Sequence, residues 1–293
     1  MIESFLQHLQ YEKRLSRNTV IAYANDLRQL ESFLLKNFQE SNLTAASYHM
    51  IRSWIVSCVE RGIQPRSVNR KIACLRSFYK FLLKQEVISI DPTVRIPVLK
   101  TSKRLPSFIK ESDMTSLLDG DGFENTFEGI RDRLILEMFY GTGLRLSELI
   151  GLRNDSIDTA NRTVRVLGKR NKERVIPFTA ALVPLVKEYI ATRNRDVEKK
   201  DHGIFFVRAN GEPCYPVMIY KIVRKYLDKF PAMQKRSPHV LRHTYATHLL
   251  NNGAELNAVK DLLGHTSIAA TQVYTHNTTE KLKKVFEQAH PKA

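Results

Sequence analysis

The chain has 293 residues, 43% of them hydrophobic, which is a globular composition with enough length for two cores. It holds no run of eighteen apolar residues, and its start, "MIESFLQHLQYEK", has no basic stretch leading into an apolar one, so neither a membrane span nor a secretory leader is expected. The cysteines Cys58, Cys74 and Cys214 lie far apart, which argues against a disulfide framework or a cysteine-rich zinc site and fits a reducing cytoplasm.

Net charge is +16, a large excess that points to a polyanionic partner, most often nucleic acid. Residues 1–107 carry 17 Lys+Arg against 8 Asp+Glu, and residues 108–293 carry 29 against 22, so the halves stand at +9 and +7. A solubilising tail would concentrate the charge at one end. Two basic domains gripping one polyanion would distribute it in this way.

In chain order, "SRNTVIAYANDLRQLESFLLKN" reads as a helix with capping candidates Ser16 and Asn18 and a stripe of Tyr23, Leu27, Leu30 and Leu34. "QPRSVNRKIACLRSFYKFLLKQ" repeats the design, starting at Pro65 and Ser67 with the stripe Val68, Ile72, Leu75, Tyr79 and Leu82. Its other faces carry Arg66, Arg70, Lys71, Arg76, Lys80 and Lys84, nearly all of one sign, as an anion-facing helix would. Residues 1–90 are therefore expected to form a helical bundle, and the proline-rich, basic "DPTVRIPVLKTSKRLP" (91–106) an extended linker.

The remainder, 107–293, is mixed. "GIRDRLILEMFYGTGLRLSELIGL" reads as helix, Gly-Thr-Gly break, helix, and "RTVRVLGKRNKERVIPF" as a β-hairpin turning through Gly168 to Lys172. "TAALVPLVKEYIATRNR" is helical. So is "SPHVLRHTYATHLL" (237–250), with Ser237 as cap, Pro238 at the first position and Gly253 beyond its end. "ELNAVKDLLGHTSIAATQVYTH" predicts two short helices around a Gly-His break. The last predicted helix, 278–289, has Leu282, Val285 and Phe286 on one face, suited to docking in a neighbouring protomer or to folding back on its own domain. The fold class that results is mainly α with a small antiparallel β-sheet.

Several chemistries compete for the polar residues of 237–250. His239 and His243 have the spacing of two zinc ligands on a helix, but Val240 stands where a metalloprotease would place its glutamate. There is no GxxxxGK[ST] loop and no G-x-S-x-G elbow. A phosphate site draws on more segments: Arg145 at a helix start after "GTG", Lys169 on the hairpin turn, His239 and Arg242 at i, i+3, His265 after Gly264, and Tyr274. Taken singly, each of these has an ordinary reading as a surface charge, a cap or a core aromatic.

Their order and spacing change the reading. "GTGLRLSEL", "GKRNKER", "HVLRHTYATHLL", "LLGH" and "QVYTH", together with "LSRNTVIAYANDLRQLESFL" near the start, resemble the tyrosine recombinase (phage integrase) family, and its Xer-type site-specific recombinases in particular, over the whole length. The resemblance implies an N-terminal core-binding bundle and an α+β catalytic domain. It implies Arg145, Lys169, His239, Arg242, His265 and Tyr274 as the catalytic six, with Glu148 in support. The implied reaction cuts and rejoins DNA through a 3′-phosphotyrosyl link, with Tyr274 as nucleophile, Arg145 and Arg242 on the phosphate oxygens, His239 as base, His265 as hydrogen-bond donor and Lys169 as acid to the 5′-oxygen. No cofactor is needed, because one phosphodiester is exchanged for another.

The implied partners are a double-stranded recombination site and further recombinase protomers, identical or not, in a tetrameric synapse. The implied role is chromosome or plasmid dimer resolution in the cytoplasm. A mobile-element integrase, a type IB topoisomerase and a non-catalytic DNA-binding regulator are the alternatives. Arg17, Arg66, Arg70, Lys71 and Arg76 are the expected DNA contacts in the first domain. Tyr245 lines up with Leu241 and Leu249 and reads as core.

Overall fold

The computed structural model describes residues 1–101, 108–168, 173–198, 203–230, 235–264 and 276–292. The chain divides into two compact units, Met1–Arg104 and Leu105–Ala293. Both are built mainly of helices, and the second also holds a small antiparallel sheet. No helix among the described residues is long and apolar enough to cross a membrane.

The first unit is a bundle of α1 (Ile2–Gln7), continued by a π-helical turn over His8–Glu12, α2 (Arg17–Phe38), α3 (Tyr48–Glu60) and α4 (Pro65–Lys84). Ser16 caps α2 by accepting from the Thr19 amide, whereas Asn18 lies inside the helix. Leu27, Leu30 and Leu34 of α2 and all five stripe residues of α4 are buried. Trp54 of α3 and Phe5 complete the core. α2 and α4 run antiparallel: Cys74 lies against the Tyr23 carbonyl, while Asp26 and Gln29 meet Lys71. Residues 91–101 are held to α4. The Asn69 amide both donates to and accepts from the Leu99 backbone, Arg76 donates to the Ile96 carbonyl at 2.7 Å, and Ile96 is buried.

The second unit begins with α5 (Glu111–Asp119) and α6 (Phe127–Thr142). α6 is buried on nearly every face, because α5 and two helices from later in the chain pack against it. Gly143, in the left-handed region at φ +61°, ends it, and α7 (Leu146–Ile150) follows. β1 (Ile157–Asp158), β2 (Thr163–Leu167) and β3 (Glu173–Pro177) form the sheet in that order, with Val164 facing Ile176 across the hairpin. β1 is too short for its alternation to announce it in the sequence. α8 (Leu182–Asp196), α9 (Pro216–Leu227), α10 (Pro238–Asn251), α11 (Leu256–Leu263) and α12 (His276–Ala289) complete the unit.

Ser237 stands at the N-cap of α10 but makes no capping bond with its side chain, a departure from the expected cap. α12 folds back on its own unit: Leu282, Phe286 and Ala289 are buried with Tyr245, Leu249, Leu262 and Leu263. Beyond it, His290 is buried against the Tyr140 carbonyl, and Lys292 bonds Asp119 and Glu137.

Candidate active site

The site is built on α10, which is held by buried polar bonds as well as by its apolar face. Tyr245 is fully buried with Leu241 and Leu249, the core position its spacing predicts. His248 bridges the Tyr140 hydroxyl (2.9 Å) and the Ile109 carbonyl (2.8 Å). A carbonyl only accepts, so Nε2 carries the proton and Nδ1 accepts from Tyr140. Thr244 Oγ1 accepts from the Ile109 amide at 3.1 Å. His243 is half-buried, and burial lowers its pKa. Among the described residues no three His, Cys, Asp or Glu side chains gather as a metal-ligand set.

His239 stands exposed in the first turn of α10. One turn on, Arg242 is buried, donating through Nη1 to the Gly143 carbonyl and through Nη2 to the Leu263 carbonyl at 2.6 Å. Burial, then the like charges of Arg145 and Arg174 outweighing attraction to Glu148, lowers its pKa to about 10, so it stays cationic at neutral pH. The Gly143 approach demands a glycine. A Cβ there would come within 2.6 Å of the Tyr245 ring.

Arg145 opens α7. Its backbone amide donates to Glu148 Oε2 (2.7 Å), so the carboxylate three residues into the helix caps the first amide although Arg145 itself has no acceptor to return the bond. Its guanidinium donates to Glu148 Oε1 (2.7 Å) and to the Gly264 carbonyl (2.8 Å). Glu148 is itself buried. Burial alone would raise its pKa, but hydrogen bonds and charge from Arg174, then bonds from Arg145, prevail and hold it at about 2.

The arginines converge on the end of α11. Leu262, Leu263 and Gly264 present three successive carbonyls, which receive Arg174, Arg242 and Arg145 respectively. Terminal carbonyls of a helix have no intrahelical partner and carry the negative end of its dipole, so cations gather there naturally. Arg145 and Arg242 each spend two of five guanidinium N–H donors on these bonds among the described residues, leaving forks free for an anion.

Of the expected six, Arg145, Arg242 and His239 are thus placed, the first two together and His239 on the neighbouring turn of α10. Lys169, His265 and Tyr274 lie outside the described residues. Gly264, C-cap of α11 at φ +63°, directly precedes His265.

In the first unit Arg17 and Arg66 are exposed at the starts of α2 and α4. Arg70 is half-exposed and pairs with Asp26. Lys71 is buried, with its ammonium on Asp26 (2.8 Å) and Gln29 (2.7 Å). The guanidinium of Arg76 is engaged on the Ile96 carbonyl.

Arg174 is the site residue that the sequence reading missed. It is buried on β3, facing inward with Ile176. An arginine at the core-facing parity of a strand is the signal that could have found it.

The Phage integrase family model matches residues 107–281, and its N-terminal SAM-like domain matches residues 2–86. The chain belongs to the phage integrase family. This family member is 36% identical to a tyrosine recombinase XerC of Chlorobaculum parvum, over 100% of this chain and 94% of the relative. It is 34% identical to a tyrosine recombinase XerD of Staphylococcus aureus, over 100% and 99%. It is a tyrosine recombinase of the Xer type, an enzyme class that transfers DNA strands.

Two solved structures share the phage integrase fold. XerH bound to a palindromic difH substrate in a post-cleavage complex gives a TM-score of 0.71 at 20% identity, covering 97% of this chain and 93% of that one. The Tn1549 transposon integrase in complex with circular intermediate DNA gives 0.71 at 19% identity, covering 96% and 97%.

Proposed function

We propose that the chain cuts and rejoins the strands of a double-stranded recombination site through a 3′-phosphotyrosyl intermediate on Tyr274. The observation that carries this reading is the pair of guanidinia, Arg145 and Arg242, fixed on adjacent carbonyls at the end of α11 with donors to spare, immediately before the segment that bears His265 and Tyr274. In the proposed reaction the Tyr274 oxygen attacks the scissile phosphorus and the bond to the 5′-oxygen breaks. His239 takes the tyrosine proton, and Lys169 gives one to the leaving 5′-oxygen. The two arginines and His265 stabilise the charge that grows on the non-bridging oxygens. A preorganised donor at such a position is typically worth about 3–4 kcal/mol. The 5′-hydroxyl of a second strand then attacks the phosphotyrosine and releases Tyr274.

Binding in this reading is shared between the two units, Met1–Arg104 and Leu105–Ala293, each of which carries a net positive charge. Arg17, Arg66 and Arg70 contact phosphates. Arg76, exposed on α4 with one guanidinium nitrogen on the Ile96 carbonyl, has donors left to join them, whereas Lys71, whose ammonium is buried on Asp26 and Gln29, holds the bundle that presents them. Strand exchange requires several protomers, a tetramer on two duplexes. The role proposed for this Xer-type enzyme is the resolution of chromosome or plasmid dimers in the cytoplasm.

The test is covalent trapping. The protein is incubated with fragmented DNA of its host, and DNA that stays attached under denaturing conditions is sequenced. Recovery of one recurrent site is expected, in EDTA as well as without it. Tyr274→Phe should bind that site and form no adduct, while Tyr245→Phe, which loses only a buried hydroxyl with no partner among the described residues, keeps the adduct. An adduct formed by Tyr274→Phe and lost in Tyr245→Phe would reverse the assignment. Relaxation of supercoiled plasmid lacking any recovered site would favour the topoisomerase reading.

A further inference from the structure

We infer that Arg174 is a positioning residue for strand cleavage: it locks the Glu148 carboxylate and the end of α11 so that Arg145 is held at the scissile phosphate. The inference rests on the proposed phosphotyrosyl reaction.

Arg174 lies on β3, the strand that follows Lys169 in the sequence. Its side chain is 5% exposed and lies fully inside the network. Nη1 and Nη2 donate to Glu148 Oε1 and Oε2 at 2.7 and 2.8 Å, and Nε donates to the Leu262 carbonyl at 3.3 Å. Three of its five N–H donors are therefore committed to protein, one more than in Arg145 or Arg242 among the described residues. This separates it from Arg145, whose side chain is 24% exposed.

The bonds set an order of control. Two parallel bonds from Arg174 fix the plane of the Glu148 carboxylate. That carboxylate then has one defined direction in which to meet Arg145, and Oε1 accepts from both guanidinia. Arg174 also fixes Leu262, two residues before the Gly264 carbonyl that takes the other end of Arg145. Both anchors of Arg145 thus lead back to Arg174. Gly264 makes the close approach feasible, since a Cβ there would lie 3.0 Å from the Arg174 side chain. Without Arg174 the buried carboxylate loses its bidentate partner and is free to rotate. Arg145 is then aimed by a mobile group, and displacement of about 1 Å in such a group can cost a hundredfold in rate.

The experiment uses full-length protein and a nicked duplex carrying the site recovered by trapping. Single-turnover cleavage at saturating DNA and DNA affinity are measured for wild type, Arg174→Gln, Arg174→Lys, Glu148→Gln and the Arg174→Gln/Glu148→Gln double variant. Arg174→Gln is expected to cleave between about tenfold and a hundredfold more slowly at saturating DNA. Its affinity should stay within about threefold of wild type, because the residue does not touch the ligand. Arg174→Lys should recover part of the rate, since an ammonium can restore one bond to Glu148. The double variant should be about as slow as Glu148→Gln alone, because both losses act through one contact.

Substituting sulfur for the leaving 5′-oxygen separates two routes. A thiolate leaves without a proton, so a defect transmitted through Arg145 persists, whereas one transmitted through Lys169 and the hairpin disappears. Rescue by sulfur would overturn the inference, as would wild-type cleavage by Arg174→Gln, or a loss confined to affinity. If Arg174→Gln does not fold, the Lys variant decides: slower cleavage at unchanged affinity supports the inference, and a wild-type rate overturns it. Wild type that forms no Tyr274 adduct would instead refute the reaction itself.

Discussion

At the scale of single residues, the active site depends on where charge and glycine are placed. Gly143 has a carbonyl that accepts from Arg242, and it sits against the Tyr245 ring. A methyl group at this position meets a ring carbon at 2.6 Å and forces an L-residue into the left-handed region. Gly143→Ala is expected to destabilise the protein by roughly 2–4 kcal/mol, combining backbone strain with overpacking. Urea denaturation would measure it, and a change below about 0.5 kcal/mol would contradict the tight seat described for Tyr245. The "GTG" of the sequence is thus explained by its second glycine, which ends α6, seats Tyr245 and offers a carbonyl to Arg242.

At the scale of elements, α12 and the residues after it are closed onto the second unit by apolar contacts and a buried imidazole. His290 stacks on Phe286, donates from Nε2 to the Tyr140 carbonyl and accepts at Nδ1 from the Lys292 amide. Burial, then the neighbouring His248 and Lys292, lowers its pKa to about 4 despite the bond to Tyr140. An imidazole depressed below its unfolded value of about 6.5 binds fewer protons folded than unfolded. Its contribution is complete above about pH 6.5 and is lost as pH falls toward 4, by an amount on the order of 3 kcal/mol. Other groups also titrate in that window, so the comparison should be made against His290→Gln. Wild type should lose more thermal stability than the variant between pH 7 and 4. Parallel curves would show that the imidazole does not set the acid sensitivity.

The packing also decides what the sequence left open about this helix. One apolar face can dock in a neighbour or at home, and in this structure Leu282, Phe286 and Ala289 are buried within their own unit.

At the scale of the whole molecule, the charge of +16 divides into cations that structure the protein and cations left for DNA. Lys71 belongs to the first group, because Asp26, 1% exposed, holds it inside the bundle. Arg66 and Arg17, exposed at helix starts, fall in the second under the proposed mode of binding. Arg66→Ala should leave the melting temperature unchanged and lower the slope of log affinity against log salt by about one. Lys71→Ala should instead cost stability, since it removes one partner of a buried pair, by about 3 kcal/mol with Arg70 still bound to Asp26. Gel-shift titrations over a salt series, paired with thermal melts, distinguish the two. A stable Lys71→Ala protein with a reduced salt slope would move Lys71 to the DNA-facing group.

The sequence by itself determined the helical stripes, the antiparallel pair of strands and the family, because periodicity and motif spacing are local and survive in one dimension. Arg145, Arg242 and Glu148 were legible from their motifs. The tertiary structure alone decided how they meet, since Leu262, Leu263 and Gly264 come from an element more than a hundred residues beyond Arg145. It also gave Arg174 and Lys71 their places. Composition counts both as surface charge, but one carboxylate, Glu148 or Asp26, brought beside each from a distant segment, makes burial of the cation favourable. That long-range pairing of buried charge is the part of the design that a linear pattern of residues does not contain.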